Sequence, residues 1–362
     1  MKEQSIFGNY AQYLQVLLDT RAERFNKPWY ATRFTWDLPQ VNLDFTTVLG
    51  EAVITAAASI VDRDGETPLR SRDLLAKLTG EIPAIKVMLP LNESQYRSYM
   101  SLKNMPNIKD QDKKNAALKL IWDDSKKVVE AVHNRLDMMI LQMISTGKLD
   151  VNINNNPDGL VIPDIDLLMP SDNKKTATTS WKETTAKPIE DIQTVVRAAN
   201  EQGKTFEKIL IDRAKFIEMM KNKEVRDTLG AFYGLTRNAM ASQTAPITLD
   251  RLNQYMAGSE LPQFEIVDKK VAIEKNGQTS IVTPFEQKNL AFIPAGQLGV
   301  IKNALAIEEM NPVDNVSYAK HGRVLVSKWK QNEPWREYTK SECNAMPVVE
   351  QINNIFILQT ES

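Results

Sequence analysis

The chain has 362 residues, of which 42% are hydrophobic and 25% charged, so disordered, collagen-like and low-complexity classes are excluded from the start. Forty-five Lys plus Arg against 46 Asp plus Glu leave a formal net charge of −1, which does not advertise a polyanionic partner. One cysteine, Cys343, and two histidines, His133 and His321, rule out an intrachain disulfide and a Cys/His zinc cluster.

Length allows roughly two domains, because single cores stop growing near 250–300 residues. The longest apolar run, Ala52 to Val61, is too short for a bilayer span, and the N-terminal segment lacks a secretory pattern. A reducing cytoplasm is therefore the expected site of synthesis. Leu14, Leu17 and Leu18, followed by Phe25, have the spacing of a short amphipathic helix. An extended segment with Trp29 and Trp36 comes next, and its aromatics need a surface to lie on, by default that of the same chain.

From Gly50 to Val61 the residues are small and β-branched and lead into the turn signal Asp62-Arg63-Asp64-Gly65. Glu81 to Leu91, with Pro83 and Pro90, suits an edge strand. Together these stretches predict a long β excursion with a charged tip that carries Arg70, Arg72 and Asp73. The strongest periodicity runs from Asp110 to Ser145, where Leu118, Ile121, Val128, Val132, Leu136, Met139 and Met143 recur at helical spacing without Pro or Gly. Such a helix is about 54 Å long at 1.5 Å per residue. Gly147 is placed to cap it.

Beyond it, Lys148 to Ile153 alternates as a strand, an Asn-rich loop leads to Pro157, and the polar stretch 171–180 marks a hairpin tip or domain edge. Pro188 opens a helix over 188–202, a strand follows at 208–212, and a further helix passes through Phe216, Met219 and Met220. This order predicts a compact α/β unit. Short strands are expected at 264–267, 271–274, 279–282, 289–293, 323–329, 335–339 and 354–359.

Three patterns suggest chemistry and fail on context. Ala198-x4-Gly203-Lys204-Thr205 has the spacing of a phosphate loop, but a helix precedes it and a strand follows, the reverse of the arrangement that aims a helix N-terminus at an anion. A helix-to-strand turn is the better reading. Asp62-x-Asp64-Gly65 puts its glycine too early for a calcium loop. The pairs Asp123/Asp124 and Asp164/Asp166 read as solvated surface, and His133 as a packed or surface residue. No catalytic residue, cofactor or metal site is expected.

Four motifs carry a family likeness through their order along the chain: Ile144-Ser-Thr-Gly-Lys-Leu-Asp-Val, Trp181 with Pro188-Ile-Glu-Asp-Ile, Asn289-Leu-Ala-Phe-Ile-Pro-Ala-Gly296, and Ala345-Met-Pro-Val-Val. With these, the chain resembles the major capsid protein of tailed bacteriophages, in its lambda-type head protein group, the capsid protein E family. The resemblance implies an α+β fold of the Hong Kong 97 type, with an N-terminal arm (1–48), an extended loop (49–91), a peripheral domain (92–187 and 300–362) holding a spine helix at 110–146, and an axial domain (188–299). It implies a structural shell protein, not an enzyme, that forms hexamers and pentamers around the double-stranded DNA of a virion assembled in the bacterial cytoplasm. Its partners would be other copies of itself, a separate scaffold protein (because the arm starts almost at Met1), a portal, a decoration protein and the packaged DNA through non-specific contact, with no membrane. Inter-subunit contacts would fall at Trp29, Trp36, Asp62, Arg63, Asp64, Arg70, Arg72 and Asp73, with Val132, Leu136, Met139 and Met143 as the buried stripe of the spine helix. An encapsulin-like cargo shell is the alternative, and a nucleotide hydrolase acting through Lys204 a distant third.

Overall fold

The computed structural model describes residues 14–49, 76–104, 110–157, 159–234 and 248–361. In chain order the helix α1 (Leu14–Thr20) precedes strands β1 (Phe34–Trp36), β2 (Asp44–Leu49), β3 (Ala76–Glu81) and β4 (Ala84–Asn92). Helices α2 (Glu93–Asn104) and α3 (Asp110–Thr146) are followed by β5 (Lys148–Val151), β6 (Ile162–Asp166) and β7 (Lys174–Thr176). Then come α4 (Pro188–Glu201), β8 (Lys208–Asp212), α5 (Arg213–Lys221), α6 (Lys223–Phe232) and α7 (Leu249–Gly258). The chain returns through β9 (Gln263–Val267), β10 (Val271–Lys275), β11 (Gln278–Val282), β12 (Asn289–Ile293) and β13 (Gly299–Ala304). A single-turn α8 (Ile307–Met310), β14 (Ser317–His321), β15 (Val324–Gln331), β16 (Arg336–Val348) and β17 (Phe356–Gln359) complete it.

These elements pack as two compact units, and the division falls inside α3, between Asp137 and Met138. The first unit comprises the chain through Phe45 with 79–137 and 301–347. Its sheet has the order β1-β13-β16-β15-β14, and β4 pairs with β16 in antiparallel register from Ala84 opposite Asn344 to Asn92 opposite Arg336. β4 has no second partner among the described strands, which accommodates Pro90 and its missing N–H. At the opposite edge, β14 is met by a side chain. Gln15 of α1 donates from Nε2 to the Lys320 carbonyl at 2.9 Å and accepts from the Lys320 N–H at 2.7 Å, while Leu14, Leu17 and Leu18 bury the same helix.

In this unit α3 buries Ile121, Trp122, Val128, Val129, Val132 and Leu136. The sheet that shares the unit is unusually polar inside. Ser341 donates to the Val128 carbonyl at 2.7 Å, and Lys328 and Glu337, both nearly inaccessible, pair at 3.5 Å, with Lys328 Nζ also donating to Thr339 at 2.9 Å. Burial pushes the Lys328 amine below its ordinary value while Glu337 and Asp124 pull the other way. Asp124 is thus partly buried with its carboxyl pushed up by desolvation, a correction to the expected solvated pair.

Among the described residues, the second unit comprises those of 46–78 and 138–300 and the chain from Val348. Its five-stranded sheet runs β7-β17-β12-β8-β9, parallel at β7/β17 and β8/β9 and antiparallel between. Helices α4 to α7 supply much of the apolar cover. Ile189, Ile192, Val195, Phe216, Met219 and Met256 join Ile209, Ile211, Phe292 and Phe356 in one core. The helix starts follow local chemistry: Pro188 occupies the first turn of α4, Asp212 accepts from Ala214 N–H at 2.7 Å, and Asn222 accepts from Glu224 N–H at 2.8 Å.

The polar stretch 171–180, expected at a hairpin tip or a domain edge, supplies β7 at the edge of this sheet, and Asn173, fully buried, donates to the carbonyls of Asn353 and Ile355. Strand β17 belongs to the same sheet as β8 and β12.

Candidate functional site

In the second unit two of the motifs are joined directly. Ser145, inaccessible at the end of α3, accepts at its carbonyl from the Asn289 side chain at 2.8 Å and at Oγ from the Glu286 N–H at 3.0 Å. Gly147 adopts φ +73° and returns its N–H to the Met143 carbonyl at 2.8 Å, terminating the helix where any side chain would be strained. Trp181 donates from Nε1 to Asp191 at 2.9 Å, and its N–H reaches the Thr360 carbonyl at 2.9 Å. Leu290 lies opposite Leu358 in the β12/β17 ladder. The motif at the end of α3 and the motif that begins at Asn289 are thus joined by a specific hydrogen bond, while Trp181 closes its own motif onto Asp191.

In the first unit the N-terminal segment is fastened to α3. Asp137, with no accessible surface, accepts from the backbone N–H groups of Trp29 at 3.2 Å and Tyr30 at 3.0 Å, and one helical turn earlier His133 Nδ1 lies 2.7 Å from the Tyr30 hydroxyl. Burial and the Asp137 charge push the Tyr30 phenol above its ordinary value. Trp29 and Trp36 are half-buried, the first under the Arg33 guanidinium at 4.5 Å and the second edge-on to Tyr30. Their own subunit supplies part of the surface the sequence asked for. Phe25 stacks on His321 with ring centroids 4.0 Å apart.

Val132, Leu136, Met139 and Met143 are all buried. The sequence stripe understated the burial, because 138–141 and 143–145 are buried on every side of the helix. Asp62, Arg63, Asp64, Arg70, Arg72 and Asp73 lie outside the described residues, as does the Gly50–Val61 stretch.

A cavity in the second unit is lined by Gln142, Lys182, Lys215, Glu218, Phe285 and Glu361, among others. Its polar groups satisfy one another: Lys215 reaches Glu361 at 2.7 Å and Glu218 at 3.0 Å, and Lys182 reaches Glu361 at 2.8 Å. The hydrogen bonds from Lys182 and Lys215 bring the Glu361 carboxyl down to about 2. Lys204 has neither a phosphate cradle nor a facing helix N-terminus. It sits between α4 and β8, donates to Gln202 at 2.8 Å, and rests over the Phe356 ring at 5.2 Å, more packed than a freely solvated turn. No group of three or more metal-ligating side chains, and no helix long and apolar enough to cross a membrane, occurs among the described residues.

The fold matches solved structures from end to end. The proposed capsid protein of a prophage of Escherichia coli CFT073 superposes with a TM-score of 0.57 at 15% identity, covering 97% of this chain and 98% of that one. A phage-related protein from Bordetella bronchiseptica RB50 gives 0.52 at 11% identity, covering 95% and 96%. The architecture is the α+β fold of the Hong Kong 97 type. No curated protein sequence matches the chain. The model of the phage major capsid protein E family matches residues 24–360, and it is to this family that the chain, with its long helix, belongs.

Proposed function

We propose that this phage capsid protein builds the icosahedral head shell of a tailed phage, as hexamers and pentamers that enclose double-stranded DNA after assembly in the bacterial cytoplasm. The observation that carries the reading is the family match over residues 24–360. Scaffold and portal proteins are the other partners the family likeness implies, and no residue is assigned a catalytic role. Electron microscopy of the full-length protein expressed alone and with a scaffold should show closed shells. A compact monomer in sedimentation under every assembly condition would overturn the proposal.

The division into arm, extended loop, peripheral domain and axial domain belongs to the same proposal. Helices α4 to α7 and strands β8, β9 and β12 all fall within 188–299, which supports an axial domain there, while β7 and β17 add to its sheet from outside those bounds. For the loop at 49–91, reversing the charges of Arg70 and Arg72 should spare folding of the subunit and impair shell formation, since like-charge contacts suppress docking. Equal loss of both would place these residues in the subunit's own fold.

A further inference from the structure

The chain contains a single Asn-Gly step, and Asn276-Gly277 is the whole loop of the β10/β11 hairpin. The ladder closes with Lys275 opposite Gln278, and the two residues between them stand at φ +52° and +75°, the left-handed pair of a type I′ turn. Asparagine and glycine suit the loop because few other residues accept that backbone. The same pair carries a chemical liability. A side-chain amide lies next to the peptide nitrogen of a glycine, and the missing side chain leaves that nitrogen open to ring closure.

The surroundings of the turn favour the reaction. Residues 274–280 are all exposed, and a Cβ added at Gly277 would meet nothing within 4 Å. No hydrogen bond among the described residues holds the Asn276 amide. In the Asn-rich loop after β5, by contrast, the side chains of Asn155 and Asn156 donate to the carbonyls of Asp150 and Leu160 at 2.8 and 2.9 Å. Asn276 can bring its Cγ toward the Gly277 nitrogen without giving up a side-chain hydrogen bond.

We propose that Asn276 is a site of self-modification, with water as the only co-reactant. The Gly277 nitrogen attacks Cγ of Asn276. The new C–N bond closes a succinimide, the Cγ–Nδ2 bond breaks, and ammonia leaves with the proton that the Gly277 nitrogen gave up to solvent. Water then adds to one of the two ring carbonyls, and opening of the ring gives aspartate or isoaspartate. In isoaspartate the main chain runs through Cβ and is one atom longer, so a loop of two residues no longer joins Lys275 to Gln278 with the twist of the strands. β10 and β11 pair with no other described strand, and a two-stranded hairpin is marginal by itself. The longer turn therefore loosens the packing of Val271, Ile273 and Val282 on Met138 of α3.

The test uses full-length wild-type protein held for weeks at neutral pH and growth temperature, then digested and mapped by mass spectrometry against a zero-time sample. The peptide with Asn276 should gain the mass of an amide-to-acid change at least tenfold faster than the peptide with Asn155 and Asn156. It should do so as two separable products, of which the isoaspartyl form accepts a methyl group from protein isoaspartate methyltransferase. Amide exchange across 271–282, read on the separated peptides, should be at least threefold faster in the isoaspartyl form than in fresh protein. Asn276→Asp, which changes the charge and keeps the backbone in a turn-compatible residue, should exchange as fresh protein does. Conversion of Asn276 no faster than that of Asn155 and Asn156 would overturn the modification. Unchanged exchange in the isoaspartyl form, or an equal rise in Asn276→Asp, would overturn its effect on the hairpin.

Discussion

Asp137 is a charge placed where no water reaches it, and its effect on the arm follows from that. A buried carboxylate is tolerated only when its oxygens are filled, and here the Trp29 and Tyr30 N–H groups fill them. Asp137→Ala leaves those donors without an acceptor and should cost about 2 kcal/mol or more in urea unfolding, with faster amide exchange at Tyr30. Asp137→Asn, which keeps one acceptor oxygen, should lose less. Nothing local in the sequence distinguishes this aspartate from the other charged residues of α3, because the N–H groups it accepts from lie more than 100 positions away. Lys204 is the contrary case, conspicuous in sequence and of small consequence in the fold. Removing its amine from the Phe356 face should cost about 0.5–1 kcal/mol. ATP binding by the wild type that vanishes in Lys204→Ala would contradict this.

Among the elements, α3 has the most to lose from a break. Leu136 is fully buried, so Leu136→Ala removes core volume for about 2–5 kcal/mol, whereas Leu136→Pro also deletes a backbone hydrogen bond and clashes with the preceding turn, costing about 3 kcal/mol or more beyond the lost packing. The Ala variant should still assemble, into shells with a lower melting temperature, and the Pro variant should form none. Normal shells from Leu136→Pro, seen by electron microscopy, would show that α3 is not needed as a continuous rod. Periodicity made this helix legible, as Pro188 did for α4 and Gly147 did for the end of α3. β16 was legible only in its first residues. Its continuation, Lys340-Ser-Glu-Cys-Asn, is too polar to show a strand pattern, yet Ser341, Glu342, Cys343 and Asn344 are all buried. Their polarity is absorbed by groups from far away in sequence: Lys86 reaches Glu342 at 2.9 Å, the Asn344 side chain donates to the Leu305 carbonyl, and the Asn344 carbonyl accepts from the Asn303 side chain. β13, β14 and α2 escaped notice as well, each too short or too polar to impose a period.

For the whole molecule, pH and self-association set the terms. Glu361 has its folded pKa depressed to about 2, so its contribution is present above its ordinary value near 4.5 and is lost as pH falls through 2. Glu361→Gln should therefore be less stable than the wild type at pH 7, by about 1 kcal/mol given the exposure of Lys182 and Lys288, with the gap narrowing as pH falls below 4.5 and closing only below pH 2. Chemical denaturation across that range checks both ends. A protein that meets copies of itself must also refuse most of the meetings on offer, and a bare sheet edge accepts any extended chain. On β14 the Gln15 amide already makes both hydrogen bonds at Lys320 that an incoming strand would seek. One side chain, impersonating a peptide group, thus occupies the place an incoming strand would need and blocks edge pairing at that position.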